Sequence, residues 1–113
     1  MTDRGYDRGA VVKGPDLFAD NEFRPYVCLS DDSPPFRDEE AVYTAVTTTS
    51  RPDAVPLSNS DFAVGSLPKQ SYVNPWTLVT VRHADIDKQE AQLTAETTEL
   101  IAERAATHLG VKP

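Results

Sequence analysis

The stretch AVYTAVTTTS, residues 41–50, carries the strongest strand signal in the chain. Its first six residues are mostly β-branched, aromatic or small, and such side chains fit the pleated, half-buried surface of a strand. Residues 47–50 also tolerate extended backbone and offer a run of hydroxyl groups where that strand ends. The stretch therefore predicts a strand with a hydroxyl-rich exit.

Two shorter apolar runs precede this strand. Residues 9–13 contain a Val-Val pair and close at Gly14-Pro15, which indicates a strand followed by a turn. Residues 26–29 follow Pro25 and are apolar throughout, as expected for a strand buried on both faces. Three more short strands are predicted downstream, at residues 55–57, 71–73 and 78–81.

Two prolines limit the placement of the downstream strands. Pro56 lacks an amide hydrogen, so the strand that contains it fits only the edge of a sheet. Asn74-Pro75 interrupts the apolar pattern and predicts two separate strands on either side of it. Five or so short strands with proline and glycine turns favour a small β-barrel.

The sequence changes character at Leu93, where a helical period begins. Thr94 is a good N-cap, Glu96 suits the positive end of the helix dipole, and Gly110 suits the position after the last turn. The helix must pack on the sheet to be stable, because its apolar stripe is modest. That stripe is predicted to carry Leu93, Thr97, Leu100, Ile101, Ala105 and Leu109.

Length and hydropathy limit the organisation of the chain. Its 113 residues give room for one domain, 1–113, of mainly β (α+β) class, with a flexible N-terminus at 1–8 and a helix at 94–109. No apolar run approaches the length of about 18 residues that a membrane span needs, so no membrane contact is expected. The first ten residues have no apolar stretch behind their charges and do not form a signal peptide. We therefore expect a cytoplasmic protein.

The charge balance is strongly acidic. The net charge is −7, with 18 acidic against 11 basic residues. An acidic, threonine-rich surface with few lysines suits a cytosol at molar salt, where screening removes self-repulsion, so we expect a halophilic source. Because a chain of this charge binds nucleic acid poorly in general, any RNA contact must come from a local basic site.

The metal-binding and redox side chains are few. Cys28 is the only cysteine, and together with His83 and His108 it offers too few ligands for a four-ligand zinc site. We interpret Cys28 as a small apolar side chain on a buried strand and both histidines as structural. The sequence also lacks a glycine-rich phosphate loop, so neither a metal nor a cofactor is expected.

Arg24 stands at the start of a predicted buried strand. Pro25 restricts Arg24 to extended backbone, and a guanidinium held in this way is suited to clamp two phosphate oxygens. The same position is also typical of an ordinary surface charge, and the residues alone leave both readings open.

A series of short segments resembles the MazF/PemK family of toxin endoribonucleases. The order and spacing match over nearly the whole chain, while each segment alone is common. The segments are Arg8-Gly9-Ala10-Val11-Val12, Phe23-Arg24-Pro25-Tyr26-Val27-Cys28-Leu29-Ser30, Thr44-Ala45-Val46-Thr47-Thr48, Leu67-Pro68-Lys69-Gln70-Ser71-Tyr72-Val73 and residues 93–110.

The resemblance implies an SH3-like, MazF-like β-barrel of about five to seven strands with a C-terminal helix. It implies a homodimeric toxin that cuts single-stranded RNA without a metal and is blocked by a cognate antitoxin. Carried over to this sequence, the catalytic pair is Arg24 and Thr47. Thr48 and Ser71 are further candidates for the same pocket, and Trp76 either stacks on a base or lies in the core or a dimer interface.

A second hypothesis is a non-catalytic module that keeps the barrel and docks a protein or an RNA. The acidic segments 31–32 and 38–40 favour it, because they repel phosphate at low salt.

Overall fold

The computed structural model describes residues 5–112, and this part of the chain forms one antiparallel sheet with a C-terminal helix. The sheet curls toward a barrel, and its strands follow the order β4-β6-β3-β2-β1-β7-β5 once they are numbered along the chain. The strands are β1 Ala10–Pro15, β2 Phe23–Cys28, β3 Glu40–Thr47, β4 Val55–Leu57, β5 Phe62–Gly65, β6 Ser71–Arg82 and β7 Lys88–Leu93. The predicted mainly β fold with a terminal helix is confirmed.

The edge position predicted for residues 55–57 is also correct. Strand β4 is the outermost strand on its side and pairs only with β6 within the described part of the chain. Pro56 is exposed there and faces Tyr72 of β6 in the ladder. A proline is tolerated at this edge because its missing amide hydrogen removes no bond from a central ladder.

The prediction of two separate strands around Asn74-Pro75 is wrong. Strand β6 runs through this point as twelve residues. Its pairing with β3 changes register there, because Ala45 faces Asn74 whereas Thr44 faces Leu78. Residues 75–77 therefore bulge out of the ladder, and the bulge accommodates the proline without ending the strand.

Two strands, β5 and β7, were not predicted from the sequence. Strand β7 reads KQEAQL and pairs with β1, and β5 reads FAVG and pairs with β7. Strand β5 is only four residues long and mostly exposed, and β7 has just two apolar residues, Ala91 and Leu93, both buried, so neither gives a clear strand pattern in the sequence. Two short 3-10 turns, Asn59–Asp61 and His83–Asp85, complete the described elements before the helix.

The two faces of the sheet bury two separate clusters. Alternation along the strands sends every second side chain to one face, so Val11 and Val27 lie in one cluster while Val12 and Tyr26 lie in the other. The first cluster lies under the helix and also contains Val46, Val73, Leu93, Ile101 and Ala105. The second lies on the opposite face and also contains Cys28, Ala41, Tyr43, Ala45, Val81 and Ile86.

Helix α1, Ala95–His108, begins as predicted from the sequence. The Thr94 hydroxyl accepts a hydrogen bond from the Thr97 amide at 3.1 Å, which satisfies one of the free donors of the first turn. Gly110 follows the helix with φ at +89°, a conformation that favours glycine.

The buried side of α1 differs in part from the predicted stripe. Ile101, Ala105 and two threonines are buried, but Leu100 is 38% exposed and Leu109 is 70% exposed. The helix is short and contacts the sheet chiefly through β6, so only a narrow strip of its surface is covered.

The N-terminal residues within the described range contact the rest of the molecule. Arg8 donates from Nε to the Leu29 carbonyl at 2.8 Å and pairs through Nη1 with Glu99 on α1 at 3.0 Å. Residues 1–4 of the predicted flexible N-terminus lie outside the described residues. None of the helices found between residues 5 and 112 has the length and apolar character needed to cross a membrane.

Candidate functional site

Arg24 and Thr47 lie on neighbouring strands and on the same face of the sheet. Tyr26 on β2 faces Ala45 on β3, so the residues two positions further out, Arg24 and Thr47, come opposite each other at the end of the pair. Both side chains line one shallow cleft of about 230 Å³, which we call the Arg24 cleft. Its lining residues are Phe18, Arg24, Ala45, Thr47, Thr49, Arg51, Asn74 and Thr77.

The Arg24 guanidinium is held at the floor of the cleft. Its side chain is only 19% exposed, and Nη2 donates to the Val46 carbonyl at 2.9 Å. Pro25 fixes the backbone next to it within β2. The Nε atom is buried and has no hydrogen-bond partner within residues 5–112. The group is therefore anchored at one nitrogen and keeps an unused donor.

The loop between β1 and β2 folds back over Arg24. The Asp16 carboxylate lies 3.6 Å from Arg24 Nη1, and the Phe18 ring covers the guanidinium with its centroid 5.1 Å from Cζ. Aromatic rings attract cations placed over their faces, so Phe18 stabilises this position of the charge. Phe18 itself is exposed on its other side and forms part of the cleft mouth.

Asp16 organises this loop through its carboxylate. It accepts hydrogen bonds from the amides of Phe18 at 2.9 Å and Ala19 at 3.1 Å, and from Asn21 Nδ2 at 3.1 Å. These bonds, led by the one from Phe18, lower the pKa of Asp16, and the nearby Arg24 charge acts in the same direction. Asp16 is therefore ionised at neutral pH and stabilises the turn that carries Phe18.

Thr47 stands where β3 ends. Its hydroxyl accepts a hydrogen bond from the Thr49 amide at 3.1 Å, which closes a small turn after the strand. The turn keeps both hydroxyl residues at the cleft, while Thr48 between them is exposed and does not line it. The Thr47 proton remains available as a donor, because the hydroxyl acts as an acceptor in this bond.

The bulge in β6 brings two more polar side chains to the cleft. Asn74 faces Ala45 at the start of the bulge, and Thr77 stands at its end. Asn74 Oδ1 is buried without a hydrogen-bond partner among the described residues. Arg51, from the loop after β3, adds a second cation at the rim, and no carboxylate side chain from residues 5–112 lines the cleft.

Two predicted site residues lie away from the cleft. Ser71 is buried on β6, donates to the Lys69 carbonyl at 2.8 Å and lines a separate pocket near the β4 edge. Trp76 is 38% exposed and meets the His108 ring edge-on at 5.3 Å between centroids. The bulge sends Trp76 toward the end of α1 while it turns Asn74 and Thr77 toward the cleft.

Cys28, His83 and His108 are also outside the cleft. Cys28 is fully buried on β2, and burial raises the pKa of its thiol to about 11, as expected for an inert core cysteine. His83 Nε2 bonds to the Arg37 carbonyl at 2.7 Å, and His108 lies in the last turn of α1. No cluster of three or more potential metal ligands occurs in the described part of the chain.

Sequence reasoning missed Asp16, Phe18, Arg51 and Asn74 as parts of this site. Asp16 and Phe18 sit in a loop whose fold depends on side-chain hydrogen bonds that no periodic pattern reveals. The proline beside Asn74 was the available signal, since a proline inside an otherwise regular strand marks a bulge and bulges often reorient side chains next to active sites.

Solved structures similar to this chain include two described as endoribonucleases and one described as a MazF toxin. An endoribonuclease from a mycobacterial species covers 96% of this chain and 95% of its own, with a TM-score of 0.74 and 25% identity. A mycobacterial endoribonuclease in complex with its cognate antitoxin covers 96% of this chain and 97% of its own, with a TM-score of 0.74 and 24% identity. The Mycobacterium tuberculosis toxin MazF-mt6 covers 92% and 99%, with a TM-score of 0.70 and 21% identity.

No protein-family model matches the sequence, and no curated protein matches it. The structural likeness extends over nearly the whole of each compared chain, so it concerns the complete sheet and helix rather than a shared fragment. The chain has the fold of the MazF endoribonuclease toxins, which confirms the resemblance to the MazF/PemK family seen in its sequence.

Proposed function

We propose that this chain is an endoribonuclease that cuts single-stranded RNA, and that it is the toxin of a toxin–antitoxin pair. The observation that supports this most directly is the shared cleft of Arg24 and Thr47, on adjacent strands of a sheet like that of known endoribonucleases. A guanidinium and a hydroxyl on one face form a site for a single phosphodiester.

The reaction uses a nucleophile that the substrate carries. The ribose 2′-oxygen attacks the adjacent phosphorus, the P–O5′ bond breaks, and the products are a 2′,3′-cyclic phosphate and a 5′-hydroxyl. The 2′ proton leaves to water and the departing 5′-oxygen takes up a proton from water. The protein therefore supplies position and charge, and the reaction itself requires no metal.

Arg24 and Thr47 divide this work. Arg24 neutralises the charge that grows on the phosphorane oxygens. Its Nε donor is buried and unpaired in the free chain, and it supplies a further hydrogen bond once the side chain turns toward the phosphate. Thr47 donates its hydroxyl proton to a non-bridging oxygen and holds the phosphate for in-line attack. DNA lacks the 2′-hydroxyl, so it binds without reacting.

Local charge allows RNA to approach an acidic protein. Arg24 and Arg51 line the cleft, whereas the whole chain carries a net charge of −7. At low salt the acidic surface repels RNA, and at high salt that repulsion is screened within about 3–10 Å. We therefore expect cleavage to be best in concentrated KCl, as in a halophilic cytoplasm.

The same screening should raise the unfolding temperature between dilute buffer and molar KCl, and an unchanged temperature would contradict the halophilic origin.

The proposed partners are a cognate antitoxin and a second copy of the chain. One of the similar mycobacterial endoribonucleases is in complex with its antitoxin. The apolar residues that follow α1 are available for contact, because Leu109 and Val111 are exposed just after His108. Sedimentation of the purified chain tests the homodimer.

Cleavage is tested with a long single-stranded RNA in concentrated KCl, followed by sequencing of the RNA ends. We expect discrete cuts with 5′-hydroxyl ends, no cuts in DNA of the same sequence, and no cuts by Arg24→Ala with an unchanged circular dichroism spectrum. RNA that stays intact with the wild-type chain from dilute buffer to molar KCl would overturn the nuclease proposal.

A non-catalytic binding module is the second candidate. The observation that favours it is the engagement of Arg24 within the molecule, through Val46 at 2.9 Å and Asp16 at 3.6 Å. Under this alternative, RNA or protein binds to the chain with no bond broken, and Arg24→Ala changes binding alone.

A further inference from the structure

Two buried polar atoms in the Arg24 cleft have no hydrogen-bond partner in the described part of the chain. Four buried side-chain nitrogen or oxygen atoms lack hydrogen bonds among residues 5–112, and two of them, Arg24 Nε and Asn74 Oδ1, belong to this one small cleft. Buried polar groups in folded proteins are nearly always satisfied, so each exception requires an explanation. Here one atom is a donor and the other an acceptor, and they do not satisfy each other. Protein atoms cover both of them in the free chain, so a ligand reaches them once the two side chains turn toward the cleft that they line.

The backbone at Asn74 is fixed by a hydrogen bond to its carbonyl and by the proline that follows it. The Asn74 carbonyl accepts a hydrogen bond from the fully buried Thr44 hydroxyl at 2.7 Å. Pro75, the next residue, is also fully buried, and its ring restricts the chain. The bulge therefore presents the Asn74 side chain from a rigid base, as a preorganised binding group requires.

The register places Asn74 beside the proposed catalytic pair. Asn74 faces Ala45 in the β3–β6 ladder, and Thr47 lies two residues further along β3 on the same face. Arg24 comes from β2 on the other side of β3. A phosphodiester held between Arg24 and Thr47 thus has the Asn74 amide next to it in the same cleft.

The chemistry of the two unpaired atoms identifies what fits. Arg24 Nε requires an acceptor, which an ionised phosphate oxygen supplies. Asn74 Oδ1 requires a donor, and an ionised phosphodiester has none. The sugar of RNA carries a donor beside each phosphate, the 2′-hydroxyl, whereas the sugar of DNA does not.

We propose that Asn74 Oδ1 accepts a hydrogen bond from the 2′-hydroxyl of the nucleotide whose phosphate is cut, and that it contributes to the selection of RNA over DNA. This inference rests on the proposed function. An amide oxygen is not basic enough to take the proton, so Asn74 orients the 2′-oxygen toward phosphorus and the proton still leaves to water. Asn74 is thus a substrate-contacting residue that sequence patterns did not reveal.

The test compares two ligands that differ only at the 2′ position. A single-stranded RNA and its fully 2′-fluoro analogue, which lacks the hydroxyl donor, are titrated against the chain in a Thr47→Val background by fluorescence anisotropy. We expect Thr47→Val to bind RNA and to cut it slowly, and a gel of each sample shows that the RNA stayed intact during the titration. The same titrations are made after adding Asn74→Leu, which has a similar volume and no acceptor, and after adding Asn74→Ala as a second variant.

We expect the RNA to bind about fivefold tighter than the fluoro analogue, and we expect this preference to disappear in both Asn74 variants. Asn59→Leu makes the same change at an exposed asparagine outside the cleft and should leave the preference intact. A preference that survives both Asn74 variants, or an equal loss of affinity for the two ligands, would overturn the role of Asn74. Failure of RNA to bind at all would overturn it too.

Cleavage by the otherwise wild-type chain is measured separately, so the two proposals can fail independently. If RNA is bound with the Asn74-dependent preference but never cut, the contact stands and the nuclease proposal falls. If RNA is cut at discrete sites and the preference for RNA over the fluoro analogue does not depend on Asn74, the nuclease proposal is supported and the proposed role of Asn74 is wrong. Unfolding temperatures of the Asn74 variants exclude an unfolded protein as the cause.

Discussion

The Arg24 cleft and a larger cavity elsewhere on the molecule offer opposite environments to a phosphate. The larger cavity, about 670 Å³, is lined by residues that include Gly5, Tyr6 and His83, and we call it the acidic cavity. Among residues 5–112 its charged lining residues are Asp7, Arg8, Asp31, Asp32, Arg37 and Glu40, so carboxylates outnumber guanidiniums by four to two. The Arg24 cleft has about a third of that volume and is lined by two guanidiniums and no carboxylate from residues 5–112.

Hydrogen bonding separates the two regions further. In the acidic cavity the Arg8 guanidinium is engaged with Leu29 and Glu99, and His83 Nδ1 is the single buried atom without a partner among residues 5–112. In the Arg24 cleft a donor and an acceptor, on residues from two different strands, both lack a partner within the same range. Size alone would favour the acidic cavity as a binding site, whereas charge and the unpaired atoms favour the Arg24 cleft.

The largest expected effect is that of Arg24→Ala. Loss of the guanidinium should lower kcat for RNA cleavage by about 10²–10³-fold or more, because one preorganised donor to the developing charge is removed. Single-turnover cleavage of a labelled RNA measures it. Arg37→Ala removes a guanidinium from the acidic cavity and should change the rate less than about twofold. An equal loss of kcat in both variants would show that the two regions do not differ in their contribution to cleavage.

Thr47→Val should have the next largest effect. The variant keeps the volume and loses the hydroxyl, so we expect kcat to fall about 10–100-fold with a small change in KM. Steady-state kinetics over a range of RNA concentrations separates the two constants. Thr80→Val, at an exposed position on β6 outside the cleft, is the matched control and should cleave normally. A Thr47→Val enzyme of full activity would remove Thr47 from the mechanism.

Asp16→Asn should increase the charge difference between the Arg24 cleft and the acidic cavity, because it removes a negative charge beside Arg24. The carboxylate that faces Arg24 at 3.6 Å competes with the substrate phosphate, and its removal should tighten RNA binding up to about fivefold at low salt. Anisotropy titrations at low and high KCl measure this, and the gain should shrink as salt rises. Weaker binding of Asp16→Asn at low salt would show instead that the carboxylate positions Arg24 for the substrate.

The same variant gives a smaller effect on stability that depends on pH. Because the pKa of Asp16 in the folded chain is lowered from its ordinary value of 3.8, ionised Asp16 stabilises the fold above that value. As pH falls through the lowered pKa, this contribution is lost. The wild-type chain should therefore unfold at a higher temperature than Asp16→Asn at pH 7, and the difference should diminish in acid. A difference in unfolding temperature that grows as the pH falls would contradict the lowered pKa of Asp16.

Several elements of the fold could be predicted from the sequence, because in these segments the spacing of apolar residues and the positions of turn-forming residues indicate the same structure. The run at 41–50 became β3, the proline-marked run at 55–57 became an edge strand, and Thr94 capped the helix. Strand β7 was not predictable in the same way, because KQEAQL becomes a strand through pairing with β1 and has little apolar character of its own. Tertiary pairing outweighed local propensity there.

The candidate site was predictable only in part. The residues alone marked Arg24 beside a proline and a hydroxyl run at the end of the next strand, and the family resemblance implied the pair Arg24 and Thr47. The β2–β3 register extends to bring these two residues opposite each other. Trp76 and Asn74 are two residues apart, yet one turns to the helix and the other to the cleft because a bulge intervenes. Because the geometry of a bulge depends on the partner strand, the sequence can indicate that a bulge is present but not where its side chains point.

The central claim is that a phosphate of RNA binds between Arg24 and Thr47. A crystal structure of the chain with a 2′-fluoro oligonucleotide, which lacks the nucleophile and stays uncut, tests it most directly. We expect one phosphate in the Arg24 cleft, with non-bridging oxygens about 3 Å from the Arg24 guanidinium and the Thr47 hydroxyl. A phosphate found instead in the acidic cavity beside Arg8 and Arg37, with the Arg24 cleft empty, would contradict the account.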